Sequence, residues 1–167
     1  MRCVKEGVCM LRRVFAIIVV CCLFVSCCGC VRVSKMPFNG DISFHDITMT
    51  IPTRFIRDST QSSADLWIFE QGNYSEYIII SRKDIAGDVS ASLSNYAEYM
   101  KERNADSNIV PFLGNDAVLS MYYIDNVYCQ EILFPYKNSF YAIALRGGTE
   151  SGFNEITATI MLKQASV

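Results

Sequence analysis

The chain has 167 residues, with 15 Lys and Arg against 17 Asp and Glu, which gives a formal net charge of −2. This balance argues against nucleic acid as a partner, because a nucleic-acid-binding domain needs a basic face. Segment 1–30 contains seven of the eight cysteines, four basic residues and one acidic residue. Segment 31–167 holds the other basic and acidic side chains, with the acidic ones in excess, and it predicts one acidic domain large enough to fold without metal or disulfides.

The N-terminal segment has the layout of a secretory signal peptide. Arg12 and Arg13 precede twelve apolar residues, 14–25. Twelve helical residues rise about 18 Å, less than the roughly 30 Å of a hydrocarbon core, so a signal sequence over residues 1–30 fits better than a membrane span. Counting on to Cys30 lengthens the run, and an uncleaved anchor is the alternative.

A cysteine cluster follows this apolar run. Residues 24–27 (FVSC) resemble a bacterial lipobox, in which the cysteine is lipidated before the signal peptide is cut, although that motif usually begins with Leu. Residues 27–30 (CCGC) are a rival, with the expected small residue before the last cysteine. We therefore predict lipid attachment at Cys27 or Cys30, a cell-membrane location on the extracytoplasmic side, and a tether over residues 31–42.

The domain over residues 43–167 begins with β-structure. Apolar residues alternate with threonines over residues 47–51, which predicts a strand with one buried face. Two apolar runs, 66–70 and 77–82, then flank a segment in which Gly72 and Asn73 can adopt positive φ, so we predict a hairpin. Its continuous apolar centre indicates that both faces of the sheet are covered.

The apolar period changes after Asp88. Leu93, Tyr96, Ala97 and Met100 recur at helical spacing and predict an amphipathic helix over about residues 90–104, with Asp88 or Ser90 as its cap. Tight turns then separate four predicted antiparallel strands, and a final helix is predicted from Phe153 to about Lys163, where β-branched residues fit a strand equally well. The four strands cover residues 109–113, 117–124, 127–134 and 139–146.

This order predicts an α+β domain with a mainly antiparallel seven-stranded sheet and two helices. Phe44, residues 47–52 (ITMTIP) and Phe55 resemble the entrance motif of the PsbP-like superfamily, and the similarity in element order covers nearly all of residues 43–163. The resemblance implies an α/β/α sandwich and a role in binding rather than catalysis, as in a small bacterial lipoprotein of that superfamily. It supplies no catalytic residue.

Catalytic chemistry has few candidates in this sequence. His45, the one histidine, and Cys129 could form a thiol–imidazole pair, so a thiol-dependent enzyme is the alternative function. Mid-strand placement of Cys129 and a turn position for His45 favour structural roles for both. We expect no cofactor and no metal, because one histidine cannot build most zinc sites. The four aspartates considered for calcium lie in predicted turns, where turn formation explains them: Asp84, Asp88, Asp116 and Asp125.

Tyrosine is the unusual signal, with nine residues that all follow position 73. Tyrosines pack on apolar surfaces and also form binding surfaces, although a structural role is the more common explanation. Tyr74 and Tyr136 lie in predicted turns and Tyr99 leaves the apolar stripe of the helix, so we select these three as partner contacts. The sequence thus predicts a non-catalytic, membrane-tethered module that binds an unknown protein or small molecule, with a purely structural envelope component as a further alternative.

Overall fold

The described part of the chain, residues 36–37 and 40–164 of the computed structural model, contains eleven strands and two helices. The predicted signal peptide, Cys27, Cys30 and most of the predicted tether lie outside it. The strands are β1 (Met36–Pro37), β2 (Asp41–Phe44), β3 (Ile47–Thr50), β4 (Phe55–Asp58), β5 (Leu66–Gln71), β6 (Tyr77–Asp84), β7 (Asp106–Phe112), β8 (Asn115–Ile124), β9 (Val127–Tyr136), β10 (Ser139–Arg146) and β11 (Met161–Leu162). The helices are α1 (Val89–Glu102) and α2 (Glu150–Thr157).

A large antiparallel sheet has the strand order β1-β4-β5-β6-β10-β9-β8-β7. Its outermost strand β1 has two residues, and the other seven strands form the seven-stranded sheet that the sequence predicts. A smaller sheet has the order β11-β3-β2. The predicted α+β class, with a mainly antiparallel seven-stranded sheet and two helices, is confirmed.

The membership of the large sheet differs from the prediction at one strand. The strand predicted over residues 47–51 is β3, and it pairs with β2 across a two-residue turn at His45 and Asp46. Ile42 and Phe44 of β2 are buried, so the β2–β3 hairpin turns one face into the core. The seventh strand of the large sheet is β4, which pairs with β5.

The two faces of the large sheet are covered by different elements. On one face the sheet, the small sheet and α2 share the larger buried core, which includes Phe44 from β2, Tyr141 from β10 and Phe153 from α2. On the other face, α1 packs Leu93 and Ala97 against Val118 of β8. The layers therefore run from α1 through the large sheet to the small sheet with α2.

Helix α1 begins and ends close to its predicted bounds. The Asp88 carboxylate accepts a hydrogen bond from the Ala91 amide at 2.7 Å, which satisfies one of the free N–H groups of the first turn. The buried residues Leu93, Ala97 and Met100 belong to the predicted apolar stripe. After the helix, Asn104 takes φ 62°, a conformation that asparagine tolerates better than most residues.

Helix α2 is shorter than predicted. It ends at Thr157, and the chain then continues into β11, which pairs Met161 with Thr48 of β3. The Thr159 hydroxyl accepts a hydrogen bond from the Thr50 amide at 2.9 Å and so attaches the segment to the small sheet. The prediction of helix to Lys163 is wrong, because Met161 and Leu162 pair with β3 and Thr159, a β-branched residue that a helix disfavours, bonds to Thr50 through its side chain.

Two connections between strands have both central residues at positive φ, as in type I′ turns. They are Leu113–Gly114 and Asp125–Asn126. In the β5–β6 turn, however, Tyr74 takes the positive φ of 57°, and the expectation for Gly72 and Asn73 is wrong. The Asn73 carboxamide oxygen instead accepts a hydrogen bond from the Ser75 hydroxyl at 2.7 Å, which fixes a local turn.

Within residues 36–37 and 40–164, no helix has the length and apolarity needed to cross a membrane.

Candidate ligand-binding site

The candidate site is built around Glu131, a carboxylate in the middle of β9. Alternation along β9 turns Glu131 to the same face as Leu133, which packs against α1. The Tyr96 hydroxyl, from α1, donates a hydrogen bond to Oε1 of Glu131 at 2.5 Å. The Tyr122 hydroxyl, from the neighbouring strand β8, donates to Oε2 at 3.3 Å. One carboxylate thus joins the helix to two adjacent strands.

Electrostatics keep both tyrosines of this network protonated. Burial raises the pKa of the Tyr96 and Tyr122 hydroxyls, and the negative charge of Glu131 raises both further. Both hydroxyls therefore stay neutral and act as hydrogen-bond donors at physiological pH. Among residues 40–164, no Lys, Arg or His nitrogen forms an ion pair with Glu131 within 4.0 Å. Arg146 of β10, opposite Cys129, is the cation whose charge acts on the neighbouring Tyr122 and Cys129.

Two clefts meet at the contact between Tyr96 and Glu131. The first, which we call the β6 cleft, has a volume of about 500 Å³ and lies between the start of α1 and strands β6, β10 and β9. It is walled by Leu133 and Phe140, with Lys83 and Asp84 among its polar residues. The second, which we call the hairpin cleft, has a volume of about 400 Å³ and lies between the end of α1 and the β8–β9 hairpin.

The hairpin cleft has an aromatic lining that is partly exposed. Tyr123 is 72% exposed, Tyr99 44% and Ile124 43%, although large apolar side chains are usually covered. The guanidinium of Arg103 lies 4.2 Å from the centre of the Tyr99 ring, in a cation–π contact. The cleft therefore combines aromatic walls, a carboxylate at its inner end and one cation on its lining.

The three tyrosines selected from the sequence occupy different environments. Tyr99 lines the hairpin cleft, and Tyr74 lies in the β5–β6 turn with 58% of its surface exposed. Tyr136 is only partly exposed, packs against the large core and donates its hydroxyl to the Lys163 carbonyl at 2.5 Å. The exposure expected for Tyr136 is therefore not found. A role in partner contact stays a prediction for all three residues.

Cys129 and His45 do not form a catalytic pair. Cys129 is buried on β9, on the face that carries Glu131, and burial raises the pKa of its thiol. His45 lies in the β2–β3 turn of the small sheet, which covers the opposite face, and its Nε2 is 3.1 Å from Oδ1 of Asp65. The thiol–imidazole alternative is therefore wrong, because the large sheet separates the two side chains.

The aspartates considered for calcium have separate structural contacts. Asp84 pairs with Arg82, Asp88 caps α1, and Asp125 lies 4.0 Å from Arg146. Asp116 begins β8, opposite Pro111. In the described ranges, no group of three or more His, Cys, Asp or Glu side chains is placed to hold a metal ion.

Sequence reasoning did not select Glu131, although the sequence carries a signal for it. The segment 127–134 (VYCQEILF) is a predicted strand in the middle of a sheet, and a glutamate is rarely buried there without a partner. Tyr96 already belonged to the apolar stripe of α1. Their contact depends on the helix crossing this strand, which spacing along the chain does not specify.

Comparison with solved structures assigns the architecture. The solution structure of cyanobacterial PsbP (CyanoP) from Synechocystis sp. PCC 6803 matches with a TM-score of 0.54 and 11% sequence identity, over 81% of this chain and 96% of that one. A crystal structure at 1.50 Å from Bacteroides thetaiotaomicron VPI-5482 matches with a TM-score of 0.51 and 15% identity, over 76% of this chain. The chain spans half the length of that second protein.

No family model matches the sequence, and no curated protein matches it either. The layered α+β sandwich around an antiparallel sheet defines the structural class. Within that class the chain has the PsbP-like fold, as the resemblance of its sequence implied. Sequence identities this low establish the fold alone.

Proposed function

We propose that this protein is a non-catalytic, membrane-tethered extracytoplasmic lipoprotein that serves as a binding or accessory module of the cell envelope. The observation that carries the proposal is the network of Tyr96, Tyr122 and Glu131 between two clefts of several hundred Å³. Concave sites with apolar walls and a few convergent polar groups are the usual form of ligand sites. The neutral tyrosines here hold a carboxylate in place, an arrangement suited to recognition.

The likeness to a cyanobacterial PsbP supports an accessory role. The superfamily that the sequence resembles acts through binding, and the geometry separates Cys129 from His45, the partner on which the thiol-enzyme alternative depends. We expect Cys129 to react with a thiol reagent slowly in the folded protein and quickly in denaturant, because its side chain is 2% exposed. Rapid labelling of the folded protein would contradict a purely structural role for this cysteine.

The membrane tether is proposed from the N-terminal sequence. Arg12 and Arg13, the apolar run and the cysteine cluster support cleavage before a lipidated Cys27 or Cys30. Mass spectrometry of the mature protein should find a lipid-modified cysteine as the first residue. A free, unmodified N-terminus beyond Cys30 would refute lipid attachment, and an intact N-terminus would indicate an uncleaved anchor.

Affinity capture from solubilised native envelope tests the binding role. We expect the full-length protein to recover a partner, and expect the double substitution Tyr99→Ala and Tyr123→Ala to lose most of it, because both side chains are exposed in the hairpin cleft. Met161→Ala is the matched control, since this apolar side chain is also exposed but lies on β11 of the small sheet, away from the hairpin cleft. Equal recovery by all forms would exclude the hairpin cleft, and recovery of nothing would favour a structural component.

A further inference from the structure

We infer that the hairpin cleft binds an organic cation, meaning an ammonium or guanidinium group on an apolar body, with Glu131 as its counterion. The inference rests on the proposed binding function and names the ligand class of the same site. It is carried by three features of the cleft: a carboxylate that forms no ion pair within 4.0 Å, aromatic walls, and the contact of the Arg103 guanidinium with the Tyr99 ring.

The carboxylate of Glu131 has capacity for a further donor. Each oxygen of a carboxylate can accept two hydrogen bonds, and the network shows one for Oε1, from Tyr96, and one for Oε2, from Tyr122. Across residues 40–164 no side-chain cation pairs with it within 4.0 Å. A partly buried carboxylate without a directly bonded cation gains most from a positively charged donor, because charge-assisted hydrogen bonds are roughly twice as strong as neutral ones.

The aromatic lining also favours a cation. Four tyrosines line the hairpin cleft together with Glu131, and the face of a tyrosine ring attracts positive charge. They are Tyr96, Tyr99, Tyr122 and Tyr123. The guanidinium of Arg103, 4.2 Å from the Tyr99 ring centre, is an example of this attraction within the cleft itself.

The same lining disfavours an anion. The Tyr96 and Tyr122 hydroxyl protons are directed to Glu131, so an anion would meet the carboxylate without gaining those donors. Arg103 is the one basic residue on the lining. The positive charge of Arg103 repels a second cation. Removing that charge should therefore raise the affinity of the cleft for a cation, whereas removing the charge of Glu131 should lower it.

Titration of the full chain in uncharged detergent micelles, followed by amide chemical shifts in NMR, tests the inference with three probes of similar size. Benzylammonium is positive, benzyl alcohol neutral and benzoate negative. We expect benzylammonium to shift the amides around residues 96–103 and 122–131 in a saturable manner. Benzyl alcohol can also donate a hydrogen bond to Glu131, but without a positive charge, so the affinity of benzylammonium should exceed that of benzyl alcohol by roughly ten-fold.

Three substitutions, each compared with the unchanged protein, test the role of individual charges in the binding of benzylammonium. Glu131→Gln keeps the size and one acceptor but removes the charge, and should lower benzylammonium affinity to that of benzyl alcohol. Arg103→Gln, at an exposed position, should raise the affinity for benzylammonium roughly two- to five-fold. Lys83→Gln changes the β6 cleft alone and should leave this affinity unchanged.

Several results would overturn the inference. With the unchanged protein, these are tighter binding of benzoate than of benzylammonium, equal binding of benzylammonium and benzyl alcohol, or no saturable shift with any probe. With Glu131→Gln, the contradicting result is an unchanged affinity for benzylammonium in a protein whose remote amide shifts show that it is folded. An effect of Lys83→Gln would place the ligand in the β6 cleft instead and refute the assignment. Each failure concerns the cation, whereas the proposed binding function is judged separately by affinity capture with the Tyr99 and Tyr123 substitutions.

Discussion

Asp58 shows how local hydrogen bonds keep a buried charge stable in this protein. It ends β4 with 7% of its surface exposed, and its carboxylate accepts from the Thr60 amide at 2.8 Å, the Thr60 hydroxyl at 2.5 Å and the Gln61 carboxamide at 2.8 Å. The hydrogen bond from the Thr60 hydroxyl, helped by the others, lowers the pKa of Asp58 below 3.8 even though burial acts in the opposite direction.

This lowered pKa predicts an acid-dependent loss of stability. Because the unfolded chain takes up the proton at a higher pH than the folded protein, the stabilisation is complete above about pH 5 and is lost as the pH falls through the folded pKa. We expect Asp58→Asn to lower the free energy of unfolding by about 1–3 kcal/mol at pH 7, through lost acceptors, and to flatten the profile below pH 4. Urea unfolding from pH 7 to pH 2.5 measures both. Parallel profiles for the two proteins would refute the assignment.

Individual residues differ in how far the sequence predicts their role. Asp88 and Ser90 precede an apolar stripe, and this local signal offered both as the helix cap, of which the structure has Asp88. Tyr136 lies in a segment rich in turn residues, but β9 extends through this segment. The Tyr136 hydroxyl donates a hydrogen bond to the carbonyl of Lys163, which is distant in the chain. Exposure depends on which segment returns to cover a residue, and a contact between positions so far apart in the chain leaves no local pattern in the sequence.

At the scale of elements, the predictions succeeded where the apolar period was long and failed where strands were short. Helix α1 and strands β5, β6, β8, β9 and β10 each carry six or more residues of consistent pattern. Strand β4 has four residues and buries its first and last, Phe55 and Asp58, so no alternation marks it. Strand β3 pairs with β2 and not with the large sheet. The period of the apolar residues predicts that a strand forms but does not specify which strand it pairs with.

The β7–β8 turn offers a test at this scale. Its central residues, Leu113 and Gly114, have φ 50° and 81°, and a leucine at positive φ is strained where an asparagine is tolerated. We expect Leu113→Asn to raise the free energy of unfolding by about 0.5–1 kcal/mol, because it creates the Asn-Gly sequence that type I′ turns prefer. Leu113→Ala is the matched control and should give no comparable gain. If both variants unfold at the same denaturant concentration, the turn is not the source of strain.

At the scale of the whole molecule, the two faces of the large sheet differ in how firmly they are covered. The small sheet and α2 share the larger buried core with one face. On the other face, the cluster of buried apolar residues between α1 and the sheet has three members, Leu93, Ala97 and Val118. Helix α1 also carries Tyr96, so both clefts are bounded by the less firmly packed layer. Local opening of α1 should therefore cost less free energy than global unfolding.

Native-state hydrogen exchange tests this order of stability. We expect amides of α1 to exchange through local opening, with a lower free energy and a weaker denaturant dependence than amides of β10. Ile143→Val removes one methylene from the large core and should lower the β10 value by about 0.5–1.5 kcal/mol while leaving α1 unchanged, because the open state keeps that core. Leu93→Ala should lower both values, since it weakens the native state itself. A ligand that joins Tyr96 to Glu131 should slow exchange in α1, whereas equal values for α1 and β10 in the unliganded protein would show that the two layers unfold as one unit.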